Sequence, residues 1–271
     1  MTAVLLGPGG VAEYDDGTDM AAPLSPRPHV LARTRPGGPV THRLTSDHAH
    51  HHGVSAALPD VNGVSFWGGR TYVRGEGSRL LDNHGVQRVD ARETTGEGVT
   101  ERLTWLDPAG EPVLSEHRVL RAGAFERGWA LDWRSLLEAD ADVSFGSPQT
   151  NGRDGAFYGG LFWRTPFPRA RAVCADGVGD EHAHGSHSPW LALVSDYATL
   201  IARTSPGFPW FVRTEGYVGF CPALAVEERR ALPAGSTLTL ELRVAVFDGA
   251  LPDADLAPLA ERLGAWGGDG S

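Results

Sequence analysis

From Thr237 to Phe247 the chain alternates without a break. Leu238, Leu240, Leu242, Val244 and Val246 fall on one side, and Thr237, Thr239, Glu241, Arg243 and Ala245 fall on the other. A period of two is the mark of a strand with one buried face and one wet face. Shorter runs rich in β-branched and aromatic residues precede it: Val86 to Thr95, Gly98 to Leu106, Pro112 to Arg121, Phe125 to Leu137, Phe157 to Trp163, Trp190 to Val194 and Thr199 to Thr204. Gly, Pro and Asp turns separate them, and the 35 Gly and 19 Pro make up about a fifth of the 271 residues. This pattern predicts an all-β protein, a large antiparallel sandwich over residues 1–271 with no domain boundary. Residues 1–25 are expected to form an N-terminal strand or extension. Phe125, Trp129, Leu131 and Trp133 alternate as one aromatic-heavy inner face, and Trp129 and Trp133 are assigned to the core. The exception to the β pattern is 253–264, where Leu256, Leu259, Ala260 and Leu263 share a helical face, with Asp253 or Asp255 as cap. The tail from 265 to 271 is expected to be disordered.

Composition excludes several function classes. Hydrophobic residues at 41% and charged ones at 21% are ordinary for a globular chain. All 24 basic residues are arginine and the net charge is −10, the wrong balance for binding phosphate backbones. Cys174 and Cys221 lie too far apart for a zinc knuckle and are too few for a disulfide framework. No run approaches the roughly 18 apolar residues of a membrane span, and the first residues lack the basic start of a signal peptide. The expectation is a cytoplasmic protein with no nucleic-acid or membrane partner.

Chemistry concentrates in Ser46-Asp47-His48-Ala49-His50-His51-His52-Gly53, which holds four of the 11 histidines. Histidine exchanges protons near neutral pH and is the commonest metal ligand. If the segment is extended, His48, His50 and His52 share a face and His51 takes the other. Such a trio admits a divalent metal with an open position, although no motif requires a cofactor. The same rings otherwise supply proton-transfer groups to a sugar, or form a polar strand end. A cupin site would need a glutamate soon after the histidines, and the next acidic residue is Asp60. His-Glu-x-x-His and Gly-x-Ser-x-Gly motifs and phosphate-binding glycine loops are absent.

Further candidates follow the histidines. Asp60 and Asn62 precede Trp67, and His84 follows Asp82-Asn83 at a turn. Trp67, Trp163 and Trp210 lie beside polar residues such as Arg70, Arg164 and Arg213, a combination suited to stacking and hydrogen-bonding a carbohydrate. Asp60 and Glu215 are the best carboxylates for a general base. Glu227 and Glu228 beside Arg229 and Arg230 read as a solvated hairpin. The stretch holding His182, His184 and His187 reads as an exposed loop, a candidate lid.

These strings resemble a family. Asp47-His48-x-His50-His51 followed by Asp60-Val61-Asn62-Gly63-Val64-x-Phe66-Trp67 is similar to the signature of a bacterial family of unknown function whose members often carry the label methane oxygenase PmoA. Arg27-Pro28, Gly38-x-Val40-Thr41, Phe157-x-Gly159-Gly160-Leu161-Phe162-Trp163-Arg164, Pro209-Trp210-Phe211-Val212-Arg213 and Tyr217 extend the likeness over nearly the whole chain. The label conflicts with the absence of a spanning segment, since particulate methane monooxygenase is an integral membrane copper enzyme. The resemblance implies a β-sandwich similar to galactose mutarotase and a role in carbohydrate catabolism. Leu232 to Leu238 is similar to the closing hairpin of such domains. Mutarotases use a His acid and a Glu base, which by analogy implies His50 or His51 with Glu215. His52 departs from the family, where an Arg follows the two histidines. The expectation is therefore an epimerase, lyase or hydrolase acting on a sugar or an oxidised sugar. His50, His51, His84 and Glu215 would be catalytic, with His48, Asp60, Asn62, Trp67, Arg164, Trp210 and Arg213 binding substrate. The alternatives are a metal enzyme at His48, His50 and His52, and a non-catalytic carbohydrate-binding module.

Overall fold

The computed structural model describes residues 3–43, 48–96 and 98–266. Two antiparallel sheets dominate it. The larger has nine strands in the order Gly177–Val178, Arg171–Cys174, Leu191–Val194, Ala198–Thr204, Thr237–Asp248, Gly128–Glu138, Pro112–Phe125, Gly98–Leu106 and Val86–Thr94. The alternating C-terminal strand lies at its centre. It pairs with Gly128–Glu138 from Trp129↔Val246 to Glu138↔Thr237 and with Ala198–Thr204 on its other edge. The second sheet has seven strands: Val4–Leu6, Ala12–Asp15, His29–Ala32, Val54–Ala57, Gly160–Arg164, Gly219–Pro222 and Trp210–Arg213. A three-stranded sheet (Arg230–Leu232, Val143–Gly146, Asp60–Val61) and a two-stranded ribbon (Thr71–Val73, Gly77–Arg79) flank them.

The inner faces of the two large sheets share one core. Tyr14, Val54, Leu161, Trp163 and Phe220 meet Trp105, Leu120, Trp129, Trp133, Leu242 and Val244 there. The expected all-β sandwich is what forms; the strands named from the sequence differ from the observed ones chiefly at their ends, but those at His29–Ala32, Val54–Ala57, Trp210–Arg213 and Gly219–Pro222 in the seven-stranded sheet are not among them. Phe125 is the exception to the expected inner face. It closes its strand at the turn opposite Gly128, and packs with Ala130, Ile201 and Phe247 under the helix Asp253–Ala265 on the outer face of the nine-stranded sheet. That helix buries Leu256, Leu259, Ala260 and Leu263. Its N-cap is Pro252, with no side-chain cap. Asp253 and Asp255 instead pair with Arg171 (2.6 Å) and Arg127 (3.1 Å). Most of the expected tail lies outside the described residues. Among the described residues no helix is long and apolar enough to cross a membrane.

The seven-stranded sheet is buried on both faces along Gly160–Arg164. Leu161 and Trp163 point into the shared core, while Phe162 points outward with Ala57, Phe211 and Cys221 to a second apolar cluster. Trp67 and Phe157 close this cluster, and Tyr158 and Tyr217 pack against it. The histidine segment lies on this outer cluster, on the side of the sheet away from the main core.

Candidate functional site

Ser46 and Asp47 lie outside the described residues; from His48 to His51 the segment is a turn and not a strand. His51 N–H donates to the His48 carbonyl at 2.8 Å, closing the backbone over His48 to His51. Gly53 then ties the turn to the sheet, donating to the His42 carbonyl (2.8 Å) and accepting from Arg164 N–H (3.0 Å). Its φ is +47°, and a Cβ there would lie 2.0 Å from the Val30 carbonyl oxygen, so only glycine fits.

This turn overturns the strand parity expected from the sequence. The rings that gather are His48, His50 and His51, with centroids 5.7 Å (48–50), 4.9 Å (48–51) and 4.6 Å (50–51) apart. His52 turns the other way and meets His29 edge-on at 5.0 Å. A site built on His48, His50 and His52 is therefore not assembled. Among the described residues no group of three His, Cys, Asp or Glu side chains is placed to hold a metal ion.

The aromatic cluster forms the floor. His51 packs edge-on against Trp67 at 5.3 Å and touches Phe162 at 5.4 Å and Tyr217 at 5.7 Å. Trp67 is itself buried and leans on Tyr158 at 4.4 Å. It is a wall holding His51 and not an open platform for a sugar face. On the far side, His50 rests on Gly69, whose φ is +71° and where a Cβ would lie 2.6 Å from His50 Nδ1. His84 Nε2 donates to the carbonyl of that glycine at 2.8 Å, so His84 adjoins the cluster through Gly69.

Burial and neighbouring positive charge depress the pKa values of His50, His51 and His52. Burial, then Arg27 and the neighbouring histidines, hold His50 down at about 3. Burial, His50 and Arg164 depress His51 well below its ordinary range. His52 is likewise held at about 3 by burial and Arg27. Burial lifts the Tyr217 hydroxyl to about 12, with Tyr158 adding to the shift. His50, His51 and His52 are thus neutral at physiological pH, each able to offer one donor and one acceptor. His51 Nδ1 is buried with no hydrogen-bond partner among the described residues, as are ring nitrogens of His29, His52 and His184.

The remaining candidates divide. Arg164 is buried beside the cluster, its guanidinium 4.8 Å from the Tyr217 ring centre. Glu215 shares the turn with Tyr217 but is exposed, with no hydrogen bond or ion pair among the described residues. Asp60 is engaged within the fold: both oxygens accept from Arg229 (2.7 and 2.9 Å), and Asn151 and Gly63 N–H donate to them as well. Burial works against ionisation there, but Arg229 and Asn151 outweigh it and hold the carboxyl below its usual range. Arg229 is therefore a clasp and not part of a solvated hairpin. Asn62 bridges to the Ser144 N–H and the Asp142 carbonyl. Trp210 is fully buried and donates to the Ser188 carbonyl, and Arg213 donates to Gly155. In the expected lid, His184 is packed against Phe157 at 4.4 Å and accepts from Val212 N–H, while His182 and His187 are exposed.

Sequence reasoning from the residues alone missed Arg27, Gly68, Gly69 and Phe162. Arg27 donates to the His50 carbonyl at 2.6 Å from within the fold. The double glycine after Trp67 was the legible signal, since glycines beside a polar aromatic run mark close backbone approach.

The sequence matches one family description over residues 2–261. The chain belongs to the Family of unknown function (DUF6807). Membership lends no support to the methane-oxygenase label. No curated protein matches this family member. Solved structures similar to it include the galactose mutarotase related enzyme of Lactobacillus acidophilus, with a TM-score of 0.44 and 10% identity over 93% of this chain and 100% of that one. The Slr1438 protein of Synechocystis sp. PCC 6803 has a TM-score of 0.44 and 12% identity over 88% and 92%. Galactose 1-epimerase of Lactobacillus acidophilus NCFM has a TM-score of 0.40 and 9% identity over 82% and 91%. Likeness at this level says nothing of activity or ligand.

Proposed function

We propose that the His48, His50 and His51 cluster is the acid–base wall of an enzyme acting on a sugar or an oxidised sugar derivative. The observation that carries this reading is the convergence of three imidazoles on an aromatic floor. A neutral imidazole accepts a proton at one nitrogen while its other nitrogen donates to substrate oxygen, so two adjacent rings can remove a proton and return it. Tyr217, whose ring packs against His48 and His51, adds a hydroxyl that stays protonated. Glu215 is exposed and is assigned no part in the proton transfer.

The test is solvent exchange. Aldoses, ketosugars and glycosides are incubated with the protein in D2O, and deuterium incorporation and anomeric exchange are followed by NMR. Turnover of one class is expected, with His50→Ala and His51→Ala each losing about 100-fold or more while Glu215→Gln stays within a few-fold of the parent. Saturable sugar binding with no exchange or bond cleavage in any class would mark a binding module and overturn the reading.

A further inference from the structure

Gly69 seats His50, and both of its backbone polar groups are held by residues that line a separate cavity of about 500 Å3. Its N–H donates to the Pro23 carbonyl at 2.8 Å, and its carbonyl accepts from His84 Nε2 at 2.8 Å. Pro23 and His84 belong to the cavity wall, and none of His48, His50 and His51 does. The volume falls within the roughly 300–1,000 Å3 of small-molecule sites. His84 therefore faces a space of its own, next to the histidine cluster and divided from it by one glycine.

The wall is mixed in kind. Pro23, Val86 and Leu106 give it apolar surface, while Arg88 and the carboxylates of Asp82 and Asp107 give it charge of both signs. Asp107 Oδ1 accepts from the N–H groups of Ala109 and Glu111 (2.8 and 2.9 Å) and fixes the turn there. Arg88 gives its Nε to Asp90 at 2.7 Å. Asp82 is exposed, and with His84 Nε2 committed to Gly69, Nδ1 is the acceptor of the neutral ring. A cation in this cavity would meet Arg88, and an anion would meet Asp82. A hydroxyl answers both, because it donates to a carboxylate or an imidazole nitrogen and accepts from a guanidinium. A pyranose adds C–H faces that suit the apolar surface. We propose that this cavity is a binding site for a neutral sugar, separate from the histidine cluster, with Asp82 and His84 taking its hydroxyls. The site goes beyond the function proposed above and stands whether or not the clustered rings turn a sugar over. His84 is a binding residue there and no part of the acid–base wall.

The experiment uses the full chain with 13C-labelled histidine, and follows the ring signals of His84 beside those of His50 and His51 during titration. The probes are D-glucose, D-galactose, D-mannose and D-xylose, with D-glucosamine, D-glucuronate and cyclohexanol as the charged and apolar comparisons. At least one neutral sugar is expected to shift His84 saturably. In Asp82→Asn, at an exposed position where the fold is not at stake, its affinity is expected to fall about tenfold, the worth of one charge-assisted hydrogen bond. Any response of His50 and His51 should be the same in that variant as in the parent. Because His84 and His50 share Gly69, a ligand at the clustered rings can disturb His84 as well, and a His84 response of unchanged affinity in Asp82→Asn overturns the proposal. Failure of all four neutral sugars to move His84 overturns it too, and leaves the reading of the histidine cluster to its own test. Tighter binding of D-glucosamine or D-glucuronate than of D-glucose overturns the neutral assignment. Cyclohexanol binding as tightly as any sugar marks an apolar hole and overturns the sugar site.

Discussion

At the scale of single residues, the neighbours of the histidines matter as much as the rings. Gly69 separates His50 from His84 and carries no side chain because there is no room for one. Gly69→Ala places a methyl against His50 and asks a non-glycine residue to hold φ near +71°. The expected result is a loss of about 1–2 kcal/mol in stability, measured by urea unfolding, with a displaced His50 signal in the NMR spectrum. An unmoved His50 ring would show that the glycine is not what seats it. Trp210 teaches the opposite lesson. Beside Arg213 and Glu215 it reads as a sugar platform, yet the ring faces the core and its N–H goes to Ser188. Polar neighbours in sequence lie on the other face of a strand, so adjacency along the chain says little about adjacency in space.

At the scale of elements, the long strands of the nine-stranded sheet are the most legible part of the sequence, and those of the seven-stranded sheet the least. Alternation over Thr237 to Phe247 and the Gly and Pro punctuation follow from one-sided burial, which is a local property. The histidine segment was misread for a related reason: an extended run and a tight turn contain the same residues, and only the hydrogen bond from His51 to His48 distinguishes them. Asp60 shows what a spacing argument cannot reach, because Arg229, its partner, lies 169 residues away. That pair, with Asn151, pins Asp60–Val61 to Val143–Gly146. Asp60→Asn removes the charge-assisted bonds and leaves Arg229 without its counter-ion, for an expected loss of about 1–3 kcal/mol. Denaturant titration measures the loss, and the ring signals of His50 and His51 should stay in place. If those rings shift while stability holds, Asp60 belongs to the site after all.

At the scale of the molecule, neutral buried histidines make stability depend on pH. In the unfolded chain each imidazole takes a proton near pH 6.5, whereas His50 and His52 in the fold stay neutral to about 3. Between those values the unfolded chain binds more protons than the folded one, so stability is complete above about 6.5 and falls as pH drops toward 3. The buried His52 alone accounts for a slope of up to about 1.4 kcal/mol per pH unit. Urea midpoints at pH 7.5, 6.0 and 4.5 should therefore descend steadily, and a flat series would contradict the buried neutral rings. The turn over His48 to His51 has another consequence for how the protein fails. Its three gathered rings come from consecutive chain and rest on the outer face of one sheet, away from the core that the two large sheets share. Opening that stretch would displace all three rings together, whereas the pairing of the two large sheets lies elsewhere. If the cluster is the acid–base wall proposed above, inactivation and unfolding are then separate events, and mild stress is expected to remove activity first, from a molecule that still scatters light and absorbs like a folded one.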